Sequence, residues 1–414
     1  MLNDSENPPN TGGFFSCNLS HKLIEWIKIG GVCILTALTI KNELFILSIS
    51  LTKEKLKQLR RTHKFFCPQC KEELQLRIGD IVVPHFAHKK DSNCPQLFSD
   101  GESKEHLIGK QQLFHFFENK DLTVELEPFI KNLSQRPDLL VTTQNEKFAI
   151  EFQCSNIPIE VVQARTKGYM NASIVPLWLL KTPNFKQLTS TRIQLIQLSP
   201  FRQQFITCHP QHGSTLLTYN PTTATFIYYS HLLFIHGYRF IAKVQQLPIS
   251  HQHFPFLHLK EPTKEEFAQY WQFHLHIRQR FLSQRFYLSR KGVQDRLLKT
   301  CYSARMRLDQ LPLFIGLPVR NAQYIDVYIV EWQATLLFFL QDCQISILQV
   351  DDEVISVFIL NNPNYFQDER GKEAIFHYIL LLKKLGIHSI HCSTKEANIL
   401  QLLHSEFLAK CYEN

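Results

Sequence analysis

Three patterns in the sequence predict an α/β protein with a zinc-finger-like N-terminal module, a core running helix, three strands, helix, strand, and a mainly helical or α+β C-terminal region. The first is a C-x2-C-x14-H-x2-H spacing that starts at Cys67. The second is the switching between helical and strand periodicity from Ser99 to Leu180. The third is a strand-rich stretch after Thr222, followed from Pro262 by helical patterning. The chain divides accordingly. Residues 1–31 read as a disordered extension or as sequence upstream of the true start. Residues 32–96 hold N-terminal strands and the module, 97–182 the core domain, and 183–414 the C-terminal domain or domains, with a DNA- or partner-binding role.

Composition bounds the class. The 414 residues are 44% hydrophobic and 20% charged, as a folded globular chain is, and the 32 Phe against 3 Met predict aromatic-rich cores. A net charge of +8 is compatible with a polyanionic partner. The 11 Cys are odd in number and dispersed, which argues against a disulfide framework and for a reducing cytoplasm. The longest uncharged apolar run, 29–40, ends at Lys41, short of the roughly 18–20 residues of a membrane span. Asp4 and Glu6 stand where a secretory signal carries basic residues.

In order along the chain, Gly30-Gly31 precedes the first clear strand pattern, and a purine-rich ribosome-binding site would encode such a pair just before a start near Val32–Leu35. Cys33–Ile40 and Glu43–Ser50 read as strands, and Thr52–Thr62 as a short basic helix capped by Thr52. CPQC then supplies Cys67 and Cys70, Leu74–Val83 reads as a hairpin, and HFAH supplies His85 and His88. Two thiolates and two imidazoles suit tetrahedral Zn²⁺. Cys94 is a spare ligand able to displace either histidine.

Ser99–Phe117 reads as a helix in which Ser99 and Glu102 form a capping box. That leaves Glu105, His106 and Lys110 as its less explained polar residues. His106 and Lys110, one turn apart, share a face. Leu122–Ile130 is a strand. The hairpin Arg136–Gln153 follows, two apolar runs folding about Gln144–Asn145. That register puts Asp138 opposite Glu151, with Cβ atoms roughly 4.5–5.5 Å apart. Two carboxylates so close share a proton or a cation, and oxygen ligands select Mg²⁺ or Mn²⁺. The structural alternative makes Asp138 a turn cap and Glu151 an edge residue, but Glu151 lies inside an apolar run, where an unpaired carboxylate is costly. Ile159–Tyr169 is a helix and Ser173–Leu180 an apolar strand. On that helix Arg165 and Tyr169 would hold a phosphate and stack on a base, or else be a surface cation and a core ring.

Beyond Thr222 the pattern is β-rich. His209 and His212 suggest metal only superficially. Thr263 and Glu266 form a second capping box. Arg278–Arg307 is basic, with Arg290 and Lys291 at its centre and Phe281, Phe286, Tyr287 and Tyr302 interleaved, a composition that suits single-stranded DNA. Val319–Val350 and Glu353–Leu360 read as strands and a helix, Lys372–Leu385 as a helix and Ile387–Cys392 as a strand.

Pro137-Asp138 and Glu151-Phe152-Gln153 resemble the motif of the PD-(D/E)XK nuclease superfamily, in its restriction-endonuclease-like αβββαβ order. Together with CPQC…HFAH, ESKEHLIGK and the R-x3-Y helix, the ensemble resembles the competence protein CoiA family, most closely over residues 33–180. The resemblance implies a metal-dependent nuclease acting on incoming, single-stranded DNA during natural transformation and recombination, with recombination or DNA-uptake proteins as partners. It gives Asp138, Glu151 and the Phe152 carbonyl to the metal, and Glu105 to the same or a second metal. Gln153 stands where the superfamily has Lys, and it can orient water but carries no charge. Arg136, opposite Gln153, or Lys110 would supply the missing charge. The runner-up is a catalytically weak or inactive DNA-binding recombination accessory that uses the nuclease fold as a platform.

Overall fold

The computed structural model describes residues 34–48, 51–79, 83–89, 94, 103–183, 192–209, 213–256, 259–289, 292–366 and 369–408. The expected extension 1–31, the Ser99–Glu102 capping box, and Arg290 and Lys291 lie outside them. The chain divides into two compact units, Met1–Cys154 with Ala164–Leu177, and Ser155–Gln163 with Trp178–Asn414.

The first unit opens with an antiparallel sheet of β1 (Thr36–Leu38), β2 (Leu44–Ile46), β3 (Phe65–Phe66), β4 (Glu73–Arg77) and β5 (His85–Ala87), in spatial order β2-β1-β3-β4-β5. Helix α1 (Lys53–Thr62) begins where its cap predicts, with the Lys55 N–H donating to Thr52 Oγ1 at 3.4 Å. Phe45, Phe65 and Phe86 pack at tilted and edge angles inside the module, and Phe86 is fully buried.

Helix α2 (Lys104–Glu118) is capped by Ser103, whose Oγ accepts from the His106 N–H at 3.2 Å. Strands β6 (Thr123–Leu126), β7 (Leu139–Thr142) and β8 (Lys147–Gln153) form an antiparallel ladder. β6 stops four residues short of the expected Ile130. Glu127 adopts a left-handed φ of 51° just before Pro128 and turns the chain out of the strand. The β7–β8 turn is clasped by Thr143, whose hydroxyl bonds the Glu146 carbonyl. Helix α3 (Ile159–Asn171) and strand β9 (Ile174–Lys181) complete the helix, three strands, helix, strand order.

In the second unit the end of β9 runs parallel to β12 (Gly213–Asn220). β12, β13 (Thr225–His236), β14 (Arg239–Pro248) and β10 (Ile193–Gln197) follow antiparallel in that spatial order, with β11 (Thr207–His209) beside β12 and the one-turn helix α4 (Pro200–Gln203) between β10 and β11. Helix α5 (Lys264–Leu288) starts on the predicted Thr263–Glu266 capping box, and the buried Lys243 of β14 pairs with the same Glu266 at 2.7 Å. Then come α6 (Arg296–Ser303), α7 (Ile329–Asp342), α8 (Asp352–Asn361), α9 (Arg370–Lys384) and α10 (Glu396–Leu408) around one large core.

Two expectations fail here. The stretch Val319–Val350 contains helix α7 and short 3-10 turns in place of strands, and Ile387–Cys392 is irregular. Ten of the fourteen α7 residues are buried, Glu331 and Gln333 among them, so the helix lacks the separate polar face that would mark its periodicity.

Candidate active site and metal centre

The β7–β8 ladder pairs Leu139 with Ile150 and Leu140 with Ala149, so one further step sets Asp138 against Glu151 as the count from the turn requires. The Phe152 N–H donates to Asp138 Oδ2 at 2.8 Å, and His106 Nε2 lies 3.1 Å from the same oxygen. Lys110, one turn along α2, places Nζ 3.8 Å from Asp138 Oδ1. Helix α2 comes this close because Gly109 carries no side chain. A Cβ there would fall 2.1 Å from the Phe152 ring. Burial alone would raise the Asp138 carboxyl, but His106, Lys110 and the Phe152 amide hold it well below the usual carboxylate range.

Lys110 is fully buried and its nearer partner is Glu127, 2.6 Å from Nζ. Glu127 Oε2 also accepts from Arg136 Nη2, the Leu35 N–H and the Thr36 hydroxyl, each at 3.1 Å. Arg136 Nε donates to the Glu127 carbonyl at 2.7 Å. Burial pushes the Glu127 carboxyl up, yet Lys110 and Arg136 bring it below its ordinary 4.5. Arg136 is thus engaged with Glu127. Glu127 itself carried no signal in the sequence beyond a charged residue ahead of a proline. His106 showed only as an unexplained polar residue. Glu105 sits half-buried in the first turn of α2 next to His106, and Gln153 is half-buried at the end of β8.

Glu151 is held from α3. Its Oε1 accepts from Arg165 Nε at 3.1 Å, from Arg165 Nη2 and from the Tyr169 hydroxyl. Arg165 Nη2 also donates to the Arg136 carbonyl at 2.8 Å. Burial and the charge of Asp138 raise the Glu151 carboxyl, and Arg165 and Tyr169 only partly offset this. Tyr169 is 0% exposed, packed with Leu140, Ala149 and Ile174. Its expected stacking on a base is therefore corrected, since no face of the ring reaches solvent. Arg165 pairs with Glu151 while its side chain stays 27% exposed.

In the N-terminal module the ligand atoms of Cys67, Cys70, His88 and Cys94 all lie within 4.8 Å of one another. His85, expected as the fourth ligand, is outside this group, and its Nδ1 bonds the Val83 carbonyl at 2.9 Å. His85 and His88 are both buried, but only His88 brings a ring nitrogen to the cysteines, and Cys94 supplies the fourth donor. The Cys67–Cys70 turn is a tight knuckle, with Lys71 at φ 62° and its N–H on the Cys67 carbonyl at 3.0 Å. Burial pushes the Cys67 thiol up, but hydrogen bonds from His88, Cys70 and Gln69 outweigh it and bring it to about 6. Three sulfurs and one imidazole nitrogen are a donor set that fits a metal such as zinc.

In the basic segment Arg278 is buried and donates to the carbonyls of Ile315, Leu311 and Pro312. Arg285 pairs with Asp295 and Glu331, and Phe281 stacks on Tyr328 at 3.9 Å. What faces solvent is Phe286, Tyr287 and Tyr302, with Arg280, Lys299 and Arg305.

Residues 102–262 match the family model for the competence protein CoiA nuclease-like domain, and residues 49–96 the model for the competence protein CoiA N-terminal domain. The competence protein CoiA of Bacillus subtilis (strain 168) is 31% identical to the chain over 286 residues, which cover 69% of the chain and 74% of that protein. No solved structure matches the chain.

Proposed function

The chain belongs to the competence protein CoiA family, and from that premise we propose that its nuclease-like domain is a divalent-metal-dependent DNA phosphodiesterase acting on incoming DNA in the cytoplasm during transformation and recombination. One observation carries the reading: Asp138 stands opposite Glu151 with the Lys110 ammonium 3.8 Å from Asp138. Two facing carboxylates are hard oxygen donors and fit Mg²⁺ or Mn²⁺. Such an ion, when bound, neutralises phosphate charge and makes a bound water more acidic. The chain's own residues do the rest. Asp138, kept ionised by His106, Lys110 and the Phe152 amide, is ready as a ligand at neutral pH. Lys110 brings from α2 the positive charge that Gln153 lacks on β8, and Gln153 can orient a water. Zn²⁺ at Cys67, Cys70, His88 and Cys94 would be structural, bracing the module. The exposed rings and cations of α5 and α6 would contact single-stranded DNA.

A second reading, a DNA-binding accessory without turnover, is favoured by the hold of Arg165 and Tyr169 on Glu151. The separating experiment incubates the purified chain with Mn²⁺ or Mg²⁺ and labelled single- and double-stranded DNA, beside Asp138→Asn and Lys110→Met. Cleavage by the wild type that both variants lose supports the nuclease. Absent cleavage with intact DNA binding in all three supports the accessory.

A further inference from the structure

The positive charge of the chain is concentrated in one short helix. Residues 51–64 carry six cations, Lys53, Lys55, Lys57, Arg60, Arg61 and Lys64, against the single acid Glu54. Five of the eight excess positive charges of the whole chain therefore lie in and just after α1. All six cations are exposed. Cations elsewhere face acids: Lys110 and Arg136 face Glu127, Arg165 faces Glu151, Lys243 faces Glu266 and Arg285 faces Asp295. On α1 the match is missing. Among the described residues no acid pairs with Lys57, Arg60 or Arg61, and Glu73 of β4 is taken by Lys64 and Lys89 at 4.0 and 3.0 Å.

The helix period sorts these charges. Lys53, Lys57, Arg60 and Arg61 stand at i, i+4, i+7 and i+8, which share one face of a helix. Lys55 lies off that face. At about 1.5 Å per residue the four span about 12 Å, the axial length of about three to four phosphates on one strand of a duplex. Like charges at i and i+4 repel, and Lys53 also meets the positive end of the helix dipole. An anion laid along the face relieves both. The apolar residues of the helix are already used. Leu56 is 2% exposed and Leu59 is half-buried.

We propose that the face Lys53, Lys57, Arg60 and Arg61 of α1 tracks the phosphate backbone of a nucleic acid, independently of base sequence. The proposal takes its partner from the DNA-handling role proposed above and adds a contact surface on the N-terminal module. Other polyanions fit less well. A helix that lies on a bilayer keeps an apolar face to bury in it, and here that face is spent on the module. The core of a protein interface is depleted of Lys and built on aromatic or apolar anchors, and this face has none. Evenly spaced, exposed cations without such anchors are what phosphate contacts use. Single-stranded DNA, duplex DNA and RNA offer the same backbone chemistry.

The test titrates the full chain, without added divalent metal, against labelled single-stranded DNA, duplex DNA and RNA of one length, by fluorescence anisotropy over a series of salt concentrations. The variant carries Gln at positions 53, 57, 60 and 61; Gln suits an exposed helix, and circular dichroism checks that the fold is kept. Its plot of log affinity against log salt is expected to be shallower by about 2.8 on single strands or about 3.6 on duplex, four contacts at about 0.7 or 0.9 each. The loss is expected to be the same for unrelated base sequences, and the strand type with the largest loss assigns the ligand. Lys53→Arg with Lys57→Arg keeps the charge and is expected to keep the slope. Lys57→Gln alone should shift the slope by about 0.7–0.9, and Lys55→Gln, off the face, should leave it unchanged. A shift smaller than one contact in the four-fold variant, or Lys55→Gln as effective as Lys57→Gln, overturns the proposal. Equal competition by polyglutamate or by phosphatidylserine vesicles overturns it too, in favour of an acidic protein or a membrane. Cleavage is read in its own assay. An unchanged slope with cleavage intact removes this surface alone, and a lost slope in a chain that never cleaves supports it without the nuclease.

Discussion

Replacing Glu127 by Gln should do more damage than any other single change around the candidate active site. Glu127 is buried and accepts from Lys110, Arg136, the Leu35 amide and the Thr36 hydroxyl. Gln keeps the shape but removes the charge opposite two cations, one of them wholly buried. Leaving a buried charge uncompensated costs about 3–5 kcal/mol. Lys110 keeps its ion pair with Asp138, but at 3.8 Å against 2.6 Å for Glu127, so little of that is recovered. The converse change, Lys110→Met, leaves Glu127 with Arg136 and two neutral donors and should cost about 1–2 kcal/mol. Because the chain has two units, one global unfolding free energy is ill-defined. The assay is therefore native-state hydrogen exchange on peptides covering β6, β7 and β8. Glu127→Gln should speed exchange there on the order of 10²- to 10⁴-fold, and Lys110→Met far less. The pH dependence has a sign. The folded carboxyl is held below its ordinary 4.5, so its stabilisation is complete above that value and lost as pH falls through the lower folded value. The difference between wild type and Glu127→Gln should therefore shrink in acid. A change under tenfold at neutral pH, or equal effects of the two variants, would refute the reasoning.

Gly109→Ala should cost about 1–3 kcal/mol, because its Cβ would meet the Phe152 ring at 2.1 Å; hydrogen exchange in α2 and β8 reads it. Cys94→Ser should lower the zinc content of the purified chain, measured by elemental analysis, while His85→Gln should leave it unchanged, since His85 bonds Val83 and stands apart from the cluster. Alanine at Phe286, Tyr287 and Tyr302 together should weaken binding to labelled oligo-dT, by about 1–3 kcal/mol for each ring that stacks on a base, and fluorescence anisotropy decides it.

The register of the central hairpin was legible because it depends on local facts alone. A short turn and a period of two fix which residues face, and Asp138 and Glu151 follow by counting. Glu127 was not legible, because its role is made by Leu35, Thr36, Lys110 and Arg136, up to 92 positions away. Nothing beside it in sequence marks it except Pro128. The metal module fell between these cases. Cys67 and Cys70 declared themselves by spacing, but the choice of Cys94 over His85 depends on which side chains the folded chain gathers around them, and that is a tertiary fact. In the C-terminal half, Arg278 read as one cation of a basic face, yet it is buried against three backbone carbonyls, which no periodicity discloses.

The charges around the site constrain how it could work. Asp138, Glu127 and Glu151 face Lys110, Arg136 and Arg165, so three carboxylates already meet three permanent cations, with His106 beside Asp138. A divalent ion placed between Asp138 and Glu151 would enter a balanced set and be repelled unless a cation withdrew. Lys110 and Arg136 have side chains only 1% and 10% exposed and both pair with Glu127, so neither has an open path to water. Arg165, at 27%, has a path to water. Its departure would free Glu151, whose carboxyl burial now holds above the usual range, to take a metal in exchange for the guanidinium. On this account Arg165 and a metal compete for Glu151, and a nucleic acid phosphate is the natural agent to draw Arg165 away. Metal binding and DNA binding would then reinforce one another, which joins the nuclease and accessory readings at a single side chain.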